Sequence, residues 1–245
     1  MTRTLPSQAF ILTAGKGTRL RPYTNTMPKP MVPVRGKPIL FHTLDKLEKS
    51  GISNIVMNTH YFGDMIKEQT SAYSSLSLGY SHEEELLDTG GGAKQALCQM
   101  KEEPFYMING DAFWEDSNDQ SAFERLAAAW DENTMDILIL LQPVNNMHLT
   151  QGIGDYNLIE NGRATRSKDK SGDYMFAGIR ITKPSIIKNV QRDHFSFLEL
   201  MDKAEEQGRL YGLVHDNEWH HISTPEDLEA VNQAGMIAPQ KAQTA

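Results

Sequence analysis

The sequence predicts an α/β fold, a three-layer αβα sandwich with helices on both faces of a mostly parallel sheet. Two observations lead to this expectation. Short apolar segments alternate with helical segments over the first 150 residues, and such alternation builds right-handed βαβ units around a parallel sheet. The chain has 245 residues, which is long enough to bury one large core. We therefore expect a single domain over residues 1–235 and a flexible tail over residues 236–245.

Apolar runs bounded by turn residues predict the strands of this sheet, and apolar residues spaced three and four apart predict its helices. The predicted strands cover residues 9–12, 52–60, 76–82, 104–110 and 135–144. The predicted helices cover residues 37–50, 62–73, 91–103 and 121–132.

The pattern changes after residue 150, where polar, Gly-rich segments lead to one more apolar strand over residues 174–182. The Asn161–Gly162 pair is a hairpin signal, because both residues tolerate a positive φ. We therefore expect a small β-rich lobe over roughly residues 150–182, covering one end of the sheet. Three further helices are predicted over residues 184–190, 196–207 and 225–235.

Composition narrows the possible partners. The net charge of −8 argues against nucleic acid, because a phosphate backbone requires a basic face. No apolar run approaches the roughly 20 residues that cross a bilayer, so we expect no membrane association and a cytoplasmic location. The single cysteine, Cys98, cannot form an internal disulfide, and its apolar helical surroundings favour an inert, packed thiol.

A glycine-containing loop after the first strand has the composition of a polyphosphate site. Missing side chains let backbone N–H groups approach an anion, and Arg19, Arg21 and Lys29 follow within a few residues. The glycine spacing alone fits a flexible surface loop equally well, and it matches neither a Walker A loop nor a dinucleotide fingerprint. The loop residues are Ala14, Gly15, Lys16, Gly17 and Thr18.

Two further segments have features of ligand sites. Three consecutive glycines follow Asp88 and Thr89 at the start of a predicted helix, where bare backbone could receive a flat base or a sugar, or could simply open the helix. Asn109 and Asp111 end an apolar strand, and the carboxyl ends of parallel strands are where ligands bind in open α/β sheets. A carboxylate there is an ordinary ligand for Mg²⁺, although Gly-Asp is also a common turn pair.

Residues 11–34, ILTAGKGTRLRPYTNTMPKPMVPV, resemble the signature of the sugar nucleotidyltransferase family, a Gly-x-Gly-Thr-Arg loop followed about ten residues later by Pro-Lys-Pro. The resemblance implies a Rossmann-like sheet, and it implies that Arg19 and Lys29 are catalytic residues that contact the phosphates. It extends in order over nearly the whole chain. Because neither side chain has an evident packing role in the loop, we expect removal of either charge to leave the fold intact.

The resemblance also assigns the nucleotide site. It implies that the loop residues 14–18 bind the nucleotide together with Glu83, Thr89, Gly90 and Asn109. The triple-glycine form resembles uridylyltransferases that act on N-acetylmuramate 1-phosphate in cell-wall recycling, whereas mannose-1-phosphate guanylyltransferases more often have Leu-Gly-Thr-Ala-Gly here. A carboxylate at Glu83 could accept from uracil or from guanine, so it leaves the base open.

The expected metal site departs from the family pattern. The resemblance implies Asp111 as one ligand and an aspartate in a Trp-x-Asp motif as the second, but this chain has Trp219-His220-His221. His221 could ligate Mg²⁺, or Mn²⁺, which imidazole favours more, or it could only hydrogen-bond a metal-bound water or phosphate. Thr224 is a plausible N-cap for a helix beginning at Pro225.

The implied reaction is transfer of a nucleotidyl group from a nucleoside triphosphate, with UTP favoured, to a sugar 1-phosphate. Gly178, in a strand that resembles the family's sugar-pocket strand, and Lys168 or Lys170 are the candidate sugar contacts. Guanylyl transfer to mannose 1-phosphate and a nucleotide-sugar-binding regulatory protein without turnover are the alternatives. We expect a monomer or a small homo-oligomer.

Overall fold

The computed structural model describes residues 6–117 and 119–237. Its strands are β1 (Gln8–Leu12), β2 (Pro33–Val34), β3 (Lys37–Pro38), β4 (Asn54–Thr59), β5 (Ser77–His82), β6 (Phe105–Asn109), β7 (Phe113–Trp114), β8 (Ile137–Pro143), β9 (Tyr156–Leu158), β10 (Ala164–Arg166), β11 (Tyr174–Thr182), β12 (Leu210–Val214) and β13 (Trp219–His220). Its α-helices are α1 (Ile39–Lys49), α2 (Gly63–Thr70), α3 (Asp88–Ala96), α4 (Ala122–Ala129), α5 (Pro184–Lys188), α6 (Phe197–Glu206) and α7 (Pro225–Ile237).

The central sheet has the order β5-β4-β1-β6-β11-β8-β12, and β9 and β10 extend it beside β11. Strands β5, β4, β1 and β6 are parallel, β11 runs antiparallel to β6 and β8, and β12 is parallel to β8. One antiparallel strand therefore interrupts an otherwise parallel core sheet. The predicted α/β class with a mostly parallel sheet is confirmed.

Helices cover both faces of the sheet. Alternate residues of β1 point to opposite faces, because side chains alternate along a strand. Ala9 and Ile11 pack in a cluster with side chains of α1, α2 and α4, and Phe10 packs in a second cluster with side chains of α3, α5 and α6. Helix α7 packs on a third, smaller cluster that includes Leu228 and Val231.

Strand order reverses next to β1. The chain runs from β1 to β4 and β5 on one side, and then returns to place β6 on the other side of β1. Such a reversal leaves a crevice at the carboxyl ends of the two strands, where ligands bind in open α/β sheets. The loops that follow β1 and β6 therefore meet at one place.

The hairpin predicted around Asn161–Gly162 is present. Strands β9 and β10 are antiparallel, and the turn between them has φ of 69° at Asn161 and 76° at Gly162, as a primed turn requires. Tyr174 of β11 pairs with Tyr156 of β9, so this lobe continues the main sheet beyond β11.

Two details of the structure differ from the expectations, and a third concerns the membrane. Cys98 is exposed rather than packed. Helix α7 continues to Ile237, two residues into the predicted tail, and residues 238–245 lie outside the described residues. In the described part of the chain, no helix is both long and apolar enough to span a membrane.

Candidate active site

A cleft of about 570 Å³ opens at the carboxyl ends of β1 and β6. Residues from segments far apart in the sequence meet there, because the strand-order reversal brings the two strand ends together. The structure thus brings most of the predicted site residues to one place. Those that line the cleft are Ala14, Gly15, Gly17, Thr18, Arg19, Lys29, Glu83, Thr89, Asn109 and Asp111.

The loop after β1 offers unpaired donors to this cleft. The backbone N–H groups of residues 14–17 donate no hydrogen bond to any other described residue. Arg19 is exposed and makes no ion pair within the described part of the chain. Lys16 is exposed as well but does not line the cleft. Unpaired N–H groups beside a free guanidinium form a surface suited to a polyphosphate.

Gly17 has a specific structural task in this loop. Its φ is +59°, and a Cβ atom on it would lie 2.8 Å from the Cβ atom of Lys29. The Thr24 hydroxyl donates to the Gly17 carbonyl at 2.9 Å. Both the left-handed backbone and the close approach of the lysine stem require glycine.

Lys29 and Asp111 form an ion pair at the base of the cleft. The Lys29 Nζ atom lies 2.6 Å from Oδ2 of Asp111, and 40% of the Asp111 side chain is exposed. Burial acts to raise the pKa of Asp111, but the charge and hydrogen bond of Lys29 outweigh this effect and hold the pKa below its ordinary value. The carboxylate is therefore anionic at neutral pH and faces the cleft.

The expectation that Lys29 has no packing role is wrong. The residue is 9% exposed, its aliphatic stem lies against Gly17, and its ammonium group is bonded to Asp111. This burial depends on tertiary contacts with Gly17 and Asp111, which the local sequence around Lys29 does not reveal. Arg19, by contrast, is exposed, in agreement with the expectation that its charge has no packing role.

His221 is close enough to Asp111 for their charges to interact, although it does not line the cleft. Burial lowers the pKa of His221, while the charge of Asp111 acts to raise it, so its imidazole is neutral at pH 7. Its backbone N–H donates to the Thr150 hydroxyl at 3.0 Å, and its ring lies 5.8 Å from that of Trp219. No group of three or more His, Cys, Asp or Glu side chains among the described residues could hold a metal ion.

The segment after His221 begins α7 with a capping box. The Thr224 hydroxyl accepts from the Asp227 N–H at 3.3 Å, and the Asp227 carboxylate accepts from the N–H groups of Ser223 and Thr224 at 2.9 Å. The predicted N-cap role of Thr224 is confirmed. Ser223 lines the cleft.

Glu83 lies in the cleft wall, but its carboxylate already has partners. It is 1% exposed and accepts from the Asn58 side-chain amide at 2.7 Å and from the Leu87 N–H at 3.0 Å. Asn58 in turn accepts from the Thr13 N–H at 2.7 Å, and the Thr13 hydroxyl donates to the Asn58 carbonyl. These bonds tie the ends of β1, β4 and β5 together behind the phosphate loop.

The three glycines serve close packing within the protein. They lie inside the first turns of α3 rather than ahead of it, and all three are buried. A Cβ atom would lie 2.3 Å from the Phe195 ring at Gly90, 2.0 Å from the Asp193 carbonyl at Gly91 and 2.4 Å from the Glu83 carboxylate at Gly92. Gly90 does not line the cleft, whereas Thr89 does.

A second, smaller cleft of about 210 Å³ adjoins the first, and Thr89 and Asn109 line both. Strands β9 and β10 contribute Tyr156 and Arg166 to the wall of this smaller cleft. The sequence leads us to expect the sugar contacts in this region. Lys170 lines this cleft, whereas Lys168 is exposed outside it. Gly178 lines neither cleft. It has a left-handed φ of +78°, and a Cβ atom on it would lie only 3.1 Å from the Cβ atom of Asn109. Glycine at this position therefore leaves space for the Asn109 side chain.

Sequence reasoning missed Asn58 and Arg180. Asn58 ends a predicted strand, and its position beside the phosphate loop depends on the pairing of β4 with β1. Arg180 lines the smaller cleft, and an arginine between Ile179 and Ile181 of an apolar strand was a signal in the sequence that could have been used.

Comparison with known proteins agrees with this geometry. Residues 8–154 match the Nucleotidyl transferase family. The chain belongs to this family. It is 33% identical over 228 residues to N-acetylmuramate alpha-1-phosphate uridylyltransferase of Caulobacter vibrioides, covering 90% of this chain and 93% of the relative.

A guanylyltransferase and a solved structure are similar as well. The catalytic subunit beta of mannose-1-phosphate guanylyltransferase from Danio rerio is 29% identical over 90% of this chain and 62% of its own length. The structure of HddC from Yersinia pseudotuberculosis complexed with GMP-PN superposes with a TM-score of 0.75 at 25% identity, covering 93% of this chain and 99% of that one. The family membership and fold predicted from the sequence are confirmed.

Proposed function

We propose that this protein transfers a nucleotidyl group from a nucleoside triphosphate to a sugar 1-phosphate and releases pyrophosphate. The observation that carries the proposal is the Lys29–Asp111 pair, which lies beside the unpaired backbone N–H groups of residues 14–17. These groups provide the charge and the donors that a triphosphate needs, at the place where an open α/β sheet binds its ligand.

In this reaction, an oxygen of the sugar phosphate attacks the α-phosphorus, a new O–P bond forms, and the bond to pyrophosphate breaks. No general base is needed, because a sugar phosphate is already ionised near neutral pH. Catalysis then depends on positioning and on stabilising charge. The loop N–H groups would hold the terminal phosphates, Arg19 would stabilise charge at the α-phosphorus, and Lys29 would contact the phosphates of both substrates.

A divalent cation fits the donor set beside these residues. Asp111 offers an exposed carboxylate and His221 a neutral imidazole nearby. Mg²⁺ is commonly held by one or two carboxylates together with substrate phosphates and water. We propose that Asp111 holds the ion with His221 as its second protein contact. When bound, the ion would offset the charge of the phosphate oxygens.

For the substrates, we propose UTP and N-acetylmuramate 1-phosphate, used in the cytoplasm for cell-wall recycling. The 33% identity to a uridylyltransferase of that specificity supports this pair over GTP and mannose 1-phosphate. The triple glycine gives less support than its sequence suggests, because all three glycines pack against protein rather than facing the cleft.

The decisive experiment measures pyrophosphate release with each of four nucleoside triphosphates and a panel of sugar 1-phosphates, with Mg²⁺ or Mn²⁺. We expect the highest kcat/KM for UTP with N-acetylmuramate 1-phosphate. A preference of more than about tenfold for GTP with mannose 1-phosphate, about 1.4 kcal/mol, would favour the guanylyltransferase alternative. Binding of nucleotide and sugar without pyrophosphate release would favour a regulatory protein.

A further inference from the structure

The smaller cleft is lined by a buried arginine that has no acidic partner among the described residues. Arg180, in β11, is 3% exposed. Its guanidinium carbon lies 5.0 Å from the centroid of the Phe176 ring and 4.3 Å from that of Phe197. The two rings contact the guanidinium by cation–π interactions, which do not satisfy the hydrogen-bonding capacity of its N–H groups.

The N–H groups of Arg180 make only weak hydrogen bonds or none to the described residues. Nη1 lies 3.3 Å from the sulfur of Met201, and Nη2 lies 3.4 Å from Oδ1 of Asn109. Sulfur is a weak acceptor, and 3.4 Å is longer than usual for an N–H···O bond. Nε is buried and has no hydrogen-bond partner among the described residues. A guanidinium has five donors, so an anion in the cleft would find several of them available.

The other two cations of this cleft are already neutralised. Arg166 makes two hydrogen bonds to the Asp202 carboxylate, at 2.6 and 2.9 Å. Lys170 lies 2.6 Å from Oδ1 of Asp155. Arg180 makes no ion pair within the described part of the chain. Of the three cations that line this cleft, Arg180 is thus the one whose charge no described carboxylate compensates.

This charge persists at neutral pH. Burial lowers the pKa of Arg180 to about 9, which still leaves the guanidinium protonated at pH 7. A buried charge without a counter-ion costs stability, and buried charges in proteins are ordinarily paired. A ligand carboxylate would supply the missing counter-ion, in the bidentate geometry that a guanidinium favours.

We propose that Arg180 binds a carboxylate on the sugar and so selects an acidic sugar 1-phosphate over a neutral one. This inference rests on the proposed function. N-acetylmuramate carries a lactyl carboxylate on the sugar ring, and N-acetylglucosamine is the same sugar without that group. Asn109 lines both clefts, so a sugar with its phosphate near Lys29 can extend its substituents toward Arg180.

The test compares N-acetylmuramate 1-phosphate with N-acetylglucosamine 1-phosphate in the wild type, in Arg180→Met and in Arg180→Lys. We expect the wild type to prefer the acidic substrate, and Arg180→Met to lower the ratio of the two kcat/KM values at least about 30-fold. Arg180→Lys keeps the charge but loses the bidentate arrangement of N–H donors, so its kcat/KM ratio should lie between those of the wild type and Arg180→Met. If Arg180→Met does not fold, Arg180→Lys serves as the test: a lowered ratio of the two kcat/KM values would support the proposal, and an unchanged ratio would contradict it.

A control variant, Arg125→Met, removes a cation that pairs with Asp216 at 2.6 Å and lines neither cleft. Its ratio should equal that of the wild type. A wild type without preference for the acidic sugar would overturn the proposal, as would an Arg180→Met variant that loses activity equally with both substrates. The second result would assign Arg180 to the common phosphate or to folding.

Calorimetric titration of the two sugar 1-phosphates separates this inference from the proposed function. Binding of the sugar phosphate requires no nucleotidyl transfer. Arg180-dependent binding of the acidic sugar without pyrophosphate release would leave the carboxylate contact standing and contradict the enzyme assignment. Pyrophosphate release with equal binding of the two sugars would leave the enzyme assignment standing and contradict the carboxylate contact.

Discussion

Lys29 and Asp111 are 82 residues apart in sequence, and their side chains meet at 2.6 Å in the cleft at the carboxyl ends of β1 and β6. The pair couples the two halves of the candidate site, because Lys29 belongs to the phosphate-loop segment and Asp111 follows β6. Lys29 also keeps the carboxyl group of Asp111 ionised, since it lowers the pKa of that group. A change at either residue should therefore affect both the phosphate and the metal contacts.

Asp111→Asn should lower kcat at least about 100-fold, because one metal-held oxyanion contact stabilises a transition state by several kcal/mol. Asparagine has nearly the same shape, but it leaves the buried Lys29 ammonium without its carboxylate partner, so the melting temperature should also fall. Steady-state pyrophosphate release at several Mg²⁺ concentrations measures the effect. Asp64→Asn is the matched control, because Asp64 is a fully exposed aspartate on α2 and does not line the cleft. Full activity of Asp111→Asn would contradict the proposal that Asp111 holds the metal ion.

Arg19→Ala and Lys29→Met should both abolish turnover but should differ in stability. Arg19 is exposed and makes no ion pair with another described residue, so its removal should shift the unfolding free energy by less than about 0.5 kcal/mol. Lys29 is 9% exposed and paired, so Lys29→Met should destabilise the fold measurably. Urea unfolding beside activity assays tests both expectations. Equal loss of stability in the two variants would mean that Arg19 also has a structural role.

The sequence was informative where local patterns determine structure. Apolar runs located the central strands, and the residues at their carboxyl ends, such as Asp111, followed from the parallel sheet. Strand β12 was not predicted, because Leu210–Val214 contains a glycine and is mostly half-buried, which weakens the apolar pattern of an edge strand. Its place depends on pairing with β8, which local sequence does not encode.

Within the site, local patterns identified residue types but not their partners. The sequence allows the glycines at residues 90–92 either to receive a ligand or simply to open a helix, and in the structure Phe195, Asp193 and Glu83 occupy the space beside them. Two of these three neighbours lie about a hundred residues further along the chain, so only the packing of α3 against that segment reveals them. The burial of Lys29 and the unpaired charge of Arg180 depend on tertiary contacts in the same way.

His221→Asp should shift the metal preference from Mn²⁺ toward Mg²⁺. A carboxylate is a harder ligand than imidazole and adds a negative charge beside Asp111. Metal titrations of activity with each ion give the ratio of the two half-saturating concentrations, which we expect to change by about tenfold. His82→Asp, at the exposed end of β5, controls for the added charge. An unchanged ratio in His221→Asp would mean that His221 does not ligate the metal.

Asp116 ties three elements together and should stabilise the fold in a pH-dependent way. Its carboxylate accepts from Lys46 at 2.8 Å, from the Trp114 ring N–H at 2.9 Å and from the Ala122 N–H at 2.9 Å. Burial acts to raise the pKa of Asp116, but these hydrogen bonds outweigh it, so the pKa lies below its ordinary value. The stabilisation is therefore present above the unfolded pKa of about 4 and lost as pH falls through the folded pKa.

Asp116→Asn should accordingly lower the unfolding free energy by about 1–3 kcal/mol at pH 7. The difference from the wild type should shrink as pH falls below about 4, because the wild-type carboxylate is then protonated. Urea unfolding over a series of pH values measures both quantities. Asp64→Asn again serves as the control and should show a difference near zero, because exposed ion pairs contribute little. A difference that does not depend on pH would mean that shape rather than charge is what Asp116 provides.

Gly17→Ala should reduce activity by displacing Lys29, and Gly36→Ala provides the matched control. Both glycines have a left-handed backbone, with φ of +59° and +80°, but a Cβ atom at Gly17 would lie 2.8 Å from Lys29 whereas one at Gly36 would have open space around it. Each alanine should therefore cost about 1 kcal/mol of stability for its backbone.

Only Gly17→Ala should also lower kcat, by at least about tenfold, because a displacement of about 1 Å at a positioning residue can cost up to about 100-fold. The measurement is kcat beside the unfolding free energy for both variants. Equal activity of the two alanine variants would mean that the Lys29 stem can move away without consequence. The glycine at residue 17 would then serve the turn alone, and the position of the ammonium group would depend on Asp111 rather than on the loop.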